Sequence, residues 1–202
     1  MRLRAAALGV LGALAASLAT LDIAHGQERS RHALGELEWL DKIRINVNRP
    51  TEGAFLGCSQ EPQTERARDV YDAYRAAVAR AAAGNALRVY VEVHGNSNPK
   101  TAQNLEVATV GVSAAEAQAV KDAYAAMLAR VRGSVPDFPE LALLVEPVDR
   151  ITYTAACAKK LGALTVGFAP RAVHFEFPRS AREGEAIKGS AMLVAEIVRR
   201  LL

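Results

Sequence analysis

Two strand-like runs in this chain end in side chains that can bind a metal or carry a proton. The first is Val91-Glu92-Val93-His94-Gly95-Asn96, and the second is Val173-His174-Phe175-Glu176-Phe177-Pro178-Arg179-Ser180-Ala181-Arg182. Apolar and ionisable residues alternate in both, which is typical of half-buried strands. Two such strands could bring an imidazole and a carboxylate to one sheet edge. That pair suits zinc-dependent hydrolysis of an amide, in which zinc activates water and a carboxylate moves the proton.

The alternation also predicts which side chains share a face of the sheet. Glu92 and His94 lie on one face by the period of two, as do His174 and Glu176. A charged residue among buried apolar neighbours must be paired or ligated. Apolar residues occupy the intervening positions, namely Val91, Val93, Phe175 and Phe177.

Each of these polar residues also has a purely structural explanation, because charged residues near strand ends commonly lie at turns or face solvent. The alternatives are a turn residue for His94, an exposed edge for His174, a solvated face for Glu92 and Glu106, and a structural ion pair with Arg179 or Arg182 for Glu176.

The amino-terminal segment has the pattern of a secretory signal peptide. Arg2 and Arg4 precede an apolar run over residues 5–19, and Ala24-His25-Gly26 offers small residues for cleavage. We therefore expect residues 1–26 to be removed and residues 27–202 to form a single periplasmic or secreted domain. In an oxidising compartment Cys58 and Cys157 could form a bridge, and two separate thiols are the alternative.

Charge and hydropathy exclude other classes of partner. The chain has 25 Lys and Arg against 22 Asp and Glu, a net charge of +3, and no basic run that would bind nucleic acid. No segment after the signal peptide is long and apolar enough to span a bilayer.

The hydrophobic periods predict an α/β fold. Strands are expected at residues 43–47, 87–94, 105–112, 141–148 and 173–177, and helices at 64–83, 113–132, 152–161 and 181–202. This alternation predicts three layers, α/β/α, around a mostly parallel or mixed sheet. Ligands of such sheets bind beyond the carboxyl ends of the strands.

Three motifs, in this order, resemble the N-formylglutamate amidohydrolase family. Ile45-Asn46-Val47-Asn48-Arg49 looks like its Asn-Arg signature, and a helix with Val70-Tyr71-Asp72-Ala73-Tyr74 follows. The run ending in His94-Gly95 resembles its metal-binding strand, and the run around Glu176 resembles its late Glu strand. The resemblance covers residues 36–202, and zinc carboxypeptidases share the last two motifs more distantly.

The resemblance implies a zinc hydrolase of phosphorylase/hydrolase-like fold that cleaves an N-acyl or peptide-type amide beside a carboxylate. His94 would be a zinc ligand and Glu176 the general base and acid. Arg49 and Arg182 would bind the substrate carboxylate. Asn48 and Asn96 would orient the substrate or the bound water.

The chain lacks the Pro-His-Gly-Gly segment with which members of the family begin. A catalytic zinc typically needs three protein ligands, and His32, Glu52 or Glu61 could complete the site with His94. Two classes of function follow: a zinc amidohydrolase acting on a small acylated amino acid or peptide fragment, or a metal-free member that acts as a binding protein. With the segment missing, we expect weak zinc affinity, little amidase activity, and a free sheet edge that a homodimer would cover.

Overall fold

A computed structural model describes residues 46–53, 57–83 and 85–201. The chain divides into two compact units, residues 1–87 with 157–163 and residues 88–156 with 164–202. A single domain over residues 27–202 stays a prediction. The predicted signal peptide, residues 1–26, lies outside the described residues.

The first unit contains helix α1, Glu65–Ala81. Thr64 begins it as the N-cap, because its hydroxyl accepts a hydrogen bond from the Ala67 amide and so satisfies a backbone donor that the helix leaves free. Cys58 and Cys157 form a disulfide with a Cα–Cα distance of 5.0 Å, so the bridge, and not two separate thiols, is the alternative that the structure shows.

The second unit is built on one mixed sheet. Its strands are β1 (Tyr90–Asn96), β2 (Asn104–Val110), β3 (Ala142–Val145) and β4 (Ala172–Pro178). Their order is β1-β4-β2-β3, with β1 parallel to β4, β2 parallel to β3, and β2 antiparallel to β4. This confirms the predicted α/β class. The remaining helices of the described chain are α2 (Ala114–Ser134), the short α3 (Ala156–Leu161) and α4 (Ala186–Leu201).

One face of the sheet carries the hydrophobic core, which it shares with helices α2 and α4. A capping box, for which Ser113 and Glu116 have the right types and spacing, begins α2: the Ser113 hydroxyl accepts from the Glu116 amide, and the Glu116 carboxylate accepts from the Ser113 amide. Four fully buried apolar residues of the sheet belong to this core, namely Leu105, Val107, Phe175 and Phe177.

Several predicted elements differ from the structure. The strand expected at 141–148 is confined to Ala142–Val145, and the helix expected at 181–202 begins at Ala186. The strand expected at residues 43–47 lies partly outside the described residues, and residues 46–50 belong to a turn. The helix expected at 152–161 begins only at Ala156, and the amides of Thr152 and Tyr153, which precede it, donate to the Glu106 carboxylate. Among the described residues, no helix is long and apolar enough to cross a membrane.

Candidate metal centre

The ionisable side chains singled out in the sequence lie on the sheet face opposite the hydrophobic core. In the parallel register of β1 and β4, Glu92 lies beside His174 and His94 beside Glu176. Across the antiparallel pair of β2 and β4, Glu106 lies beside Glu176. Register partners point to the same side of a sheet, so His94 and Glu176 lie on the same face of neighbouring strands. Their catalytic and ligand roles stay predictions.

Glu92, His94 and His174 form a compact group that could hold a metal ion. Glu92 Oε2 lies 3.3 Å from His94 Nε2 and 3.1 Å from His174 Nδ1. One ligand atom from each of the three residues lies within 4.8 Å of the other two. Ligands bound to one ion at about 2 Å are separated by roughly 3 to 4 Å. The two distances from Glu92 fall in this range, and the group as a whole could hold a metal ion between two imidazoles and one carboxylate.

The group is buried on one side and open on the other. Glu92 and His174 are each only 5% exposed, whereas the His94 side chain is 42% exposed. The two imidazole rings stack with their centroids 4.4 Å apart. An exposed strand edge for His174 and a solvated face for Glu92 are both excluded by this burial. Access from solvent is on the His94 side.

Without a metal ion, a proton on His174 compensates the charge of the buried carboxylates beside it. Burial alone would lower the pKa of His174, but hydrogen bonds to Glu176 and Glu92 raise it to about 8. Burial alone would raise the pKa of Glu92, but hydrogen bonds from His174 and His94 bring it well below its usual range. His174 faces a carboxylate from each ring nitrogen, so a protonated ring can donate to both.

Glu176 has one oxygen engaged and one left over. Its Oε1 lies 3.3 Å from His174 Nε2, while Oε2 is buried without a hydrogen-bond partner among the described residues. The alternative of a structural ion pair with an arginine is wrong. Arg179 instead binds Glu183 at 2.6 Å, and Arg182 binds backbone carbonyls.

Arg182 ties the ends of β1 and β4 together. Its guanidinium donates to the carbonyls of Phe177 and Asn96 at 3.2 and 3.0 Å. A Cβ at Gly95 would come within 2.0 Å of Arg182 Nε, so glycine is needed for this close approach. Successive residues of a strand point to opposite faces, so Arg182 crosses the strand on the face opposite His94. This placement differs from the predicted contact with a substrate carboxylate, because both bonds serve the backbone.

Asn96 lies on the same face as His94, two residues further along β1. Its side-chain oxygen accepts hydrogen bonds from the Thr101 hydroxyl at 2.8 Å and the Asn98 amide at 3.2 Å. The Asn98 amide can only donate, which fixes the orientation of the side-chain amide. Its Nδ2 group is buried and has no hydrogen-bond partner in the described part of the chain.

Asn48 and Arg49 lie in the first unit. The Arg49 guanidinium forms a two-point ion pair with Glu61, both contacts at 2.7 Å, and also donates to the Asn48 side chain at 3.2 Å. Hydrogen bonds from Arg49 lower the pKa of the Glu61 carboxyl. To bind a substrate carboxylate, Arg49 would have to exchange Glu61 for it.

The sequence interpretation missed two of the three metal-ligand candidates, Glu92 and His174. Both were placed on the correct faces, but nothing local shows that β1 and β4 are neighbours. The residues that the sequence offered as further zinc ligands either bind other side chains or lie outside the described residues. Glu61 binds Arg49, Glu52 accepts a hydrogen bond from Thr64 at 2.6 Å, and His32 is not described.

Comparison of the chain with protein-family models, with curated proteins and with solved structures gave no match. The resemblance to the N-formylglutamate amidohydrolase family therefore stays a prediction.

Proposed function

We propose that this protein is an exported, zinc-dependent hydrolase of C–N amide bonds whose metal is held by Glu92, His94 and His174. The observation that carries the proposal is the convergence of these three ligand atoms within 4.8 Å. Two imidazoles and one carboxylate are a common ligand set of catalytic zinc, which keeps its fourth position open. The open side at His94 leaves room for that position. With these three candidate ligands, we expect zinc to bind despite the missing Pro-His-Gly-Gly segment.

Zinc bound here would polarise a carbonyl and lower the pKa of a bound water. The proton from that water needs an acceptor on the same face, and Glu176 is suited to accept it. Its Oε2 is buried and has no partner among the described residues, so its lone pairs are available. His174 holds the other oxygen, which keeps the carboxylate in place. Glu176 would then return the proton to the leaving nitrogen.

The substrate class is inferred from the remaining polar groups. Asn96 Nδ2, two residues beyond His94 and without a described partner, is a donor suited to the oxygen of an acyl group. An N-acylated amino acid or a peptide fragment carries such an oxygen. Export is supported by the disulfide, since such bridges persist mainly in oxidising compartments.

A metal-free binding protein is the second candidate, and one observation favours it. Protonated His174 can bridge Glu92 and Glu176, so the buried charges are compensated without an ion. Such a protein would bind the same class of ligand without cleaving it.

Metal content and turnover separate the two candidates. We expect the purified protein to bind about one equivalent of zinc, and His174→Gln to abolish this binding because one of three ligands is lost. Glu176→Gln should retain zinc but lose hydrolysis of N-formyl and N-acetyl amino acids. Glu183→Gln is the control, since Glu183 is an exposed carboxylate that binds Arg179. Absence of zinc from the wild type, or equal turnover by Glu176→Gln, would refute the hydrolase.

A further inference from the structure

The two oxygens of the Glu92 carboxylate have different partners. Oε2 faces His94 and His174. Oε1 accepts a hydrogen bond of 2.7 Å from the hydroxyl of Tyr90. The carboxylate is thereby oriented so that one oxygen is presented to the metal-binding group while the other is held by a neighbouring side chain.

Tyr90 is itself fixed in position. It lies two residues before Glu92 on the same face of β1, and only 6% of it is exposed. Its backbone amide donates to the carbonyl of Arg171, and its ring packs edge-on against Phe168 with centroids 4.9 Å apart. The phenol therefore has little freedom to follow the carboxylate if Glu92 turns.

We propose that Tyr90 is a positioning residue that holds Glu92 as a one-oxygen ligand and so favours zinc over larger divalent cations. This inference rests on the proposed zinc site. Zinc is usually bound by four ligands at short distance, whereas larger, oxygen-preferring cations take more ligands and often both oxygens of a carboxylate. The hydrogen bond from the Tyr90 phenol to Oε1 disfavours binding of a metal by both oxygens of Glu92. Partners that orient metal ligands in this way typically contribute 10- to 100-fold in affinity.

Tyr90→Phe tests the role, because it removes the hydroxyl and leaves the ring against Phe168. Tyr124→Phe is the matched control: the Tyr124 hydroxyl is also buried but has no hydrogen-bond partner among the described residues. Affinities for zinc and for Mn²⁺ are measured on metal-free full-length protein by competition with a chromophoric chelator. Unfolding by urea, measured without metal, gives the change in stability separately.

We expect Tyr90→Phe to weaken zinc binding about 10- to 100-fold and Mn²⁺ binding less, while Tyr124→Phe changes neither. A purely structural role for Tyr90 would lower stability and leave the ratio of zinc to Mn²⁺ affinity unchanged. An unchanged ratio, or wild-type zinc affinity in Tyr90→Phe, would overturn the role of Tyr90 and leave the zinc site standing. A wild-type protein that binds neither metal would overturn both.

Discussion

Loss of the proton from His174 should make the metal-free protein less stable at alkaline pH. The pKa of His174 is raised from 6.5 to about 8 in the folded protein, by hydrogen bonds to Glu176 and Glu92 that outweigh its burial. A group with a raised pKa stabilises the folded state fully below its unfolded pKa and loses that contribution as the pH rises through its folded pKa. The separation between 6.5 and about 8 corresponds to about 2 kcal/mol.

The measurement is urea unfolding of chelator-treated protein from about pH 6 to about pH 9. His174→Gln cannot titrate in this window, so the difference between wild type and variant isolates the contribution of the imidazole. That difference should shrink by about 2 kcal/mol from the acidic to the alkaline end. The ring protons of His174, followed by NMR, should titrate at the same pH as the loss of stability.

Added zinc should reverse the sign of this dependence of stability on pH. A metal ion binds the neutral imidazole, so protons and zinc compete for His174, and zinc should stabilise the protein more as the pH rises. A wild-type minus variant difference that stays constant, or that grows between about pH 6.5 and 8 without metal, would refute the assignment of a buried imidazolium between Glu92 and Glu176.

Two further predictions concern stability. Replacing Cys58 and Cys157 together by Ser should lower the free energy of unfolding by about 4 to 5 kcal/mol, since the bridge spans a sequence separation of 99; a loss below about 1 kcal/mol in urea unfolding would contradict this. Gly189→Ala should cost about 1 to 3 kcal/mol, because its Cβ would come within 2.2 Å of the Phe138 ring. Gly133→Ala is its control, with nothing within 4 Å of the added Cβ, and should gain up to about 1 kcal/mol in a thermal melt; equal effects of the two changes would refute the packing argument.

Local features of the chain could be predicted from sequence because neighbouring residues alone decide them. Glu92 and His94 alternate with valines, which places the carboxylate and the imidazole on one face of the strand. This holds whichever strand lies next to it in the sheet. The capping box of Ser113 and Glu116 likewise depends only on residues three apart.

The tertiary structure decided which of these faces meet. Glu92 and His174 have a sequence separation of 82, and no local signal shows that β1 and β4 pair, because strand order depends on the packing of the whole sheet. The parallel register then places His174 beside Glu92, which supplies the ligands that the sequence left unassigned. The same pairing brings the carbonyls of Asn96 and Phe177 together, and Arg182 donates hydrogen bonds to both. The alternation of apolar and ionisable residues therefore determined the face of each metal-binding candidate. Pairing of distant strands determined its partners, since the free energy of pairing is shared among residues far apart in the chain.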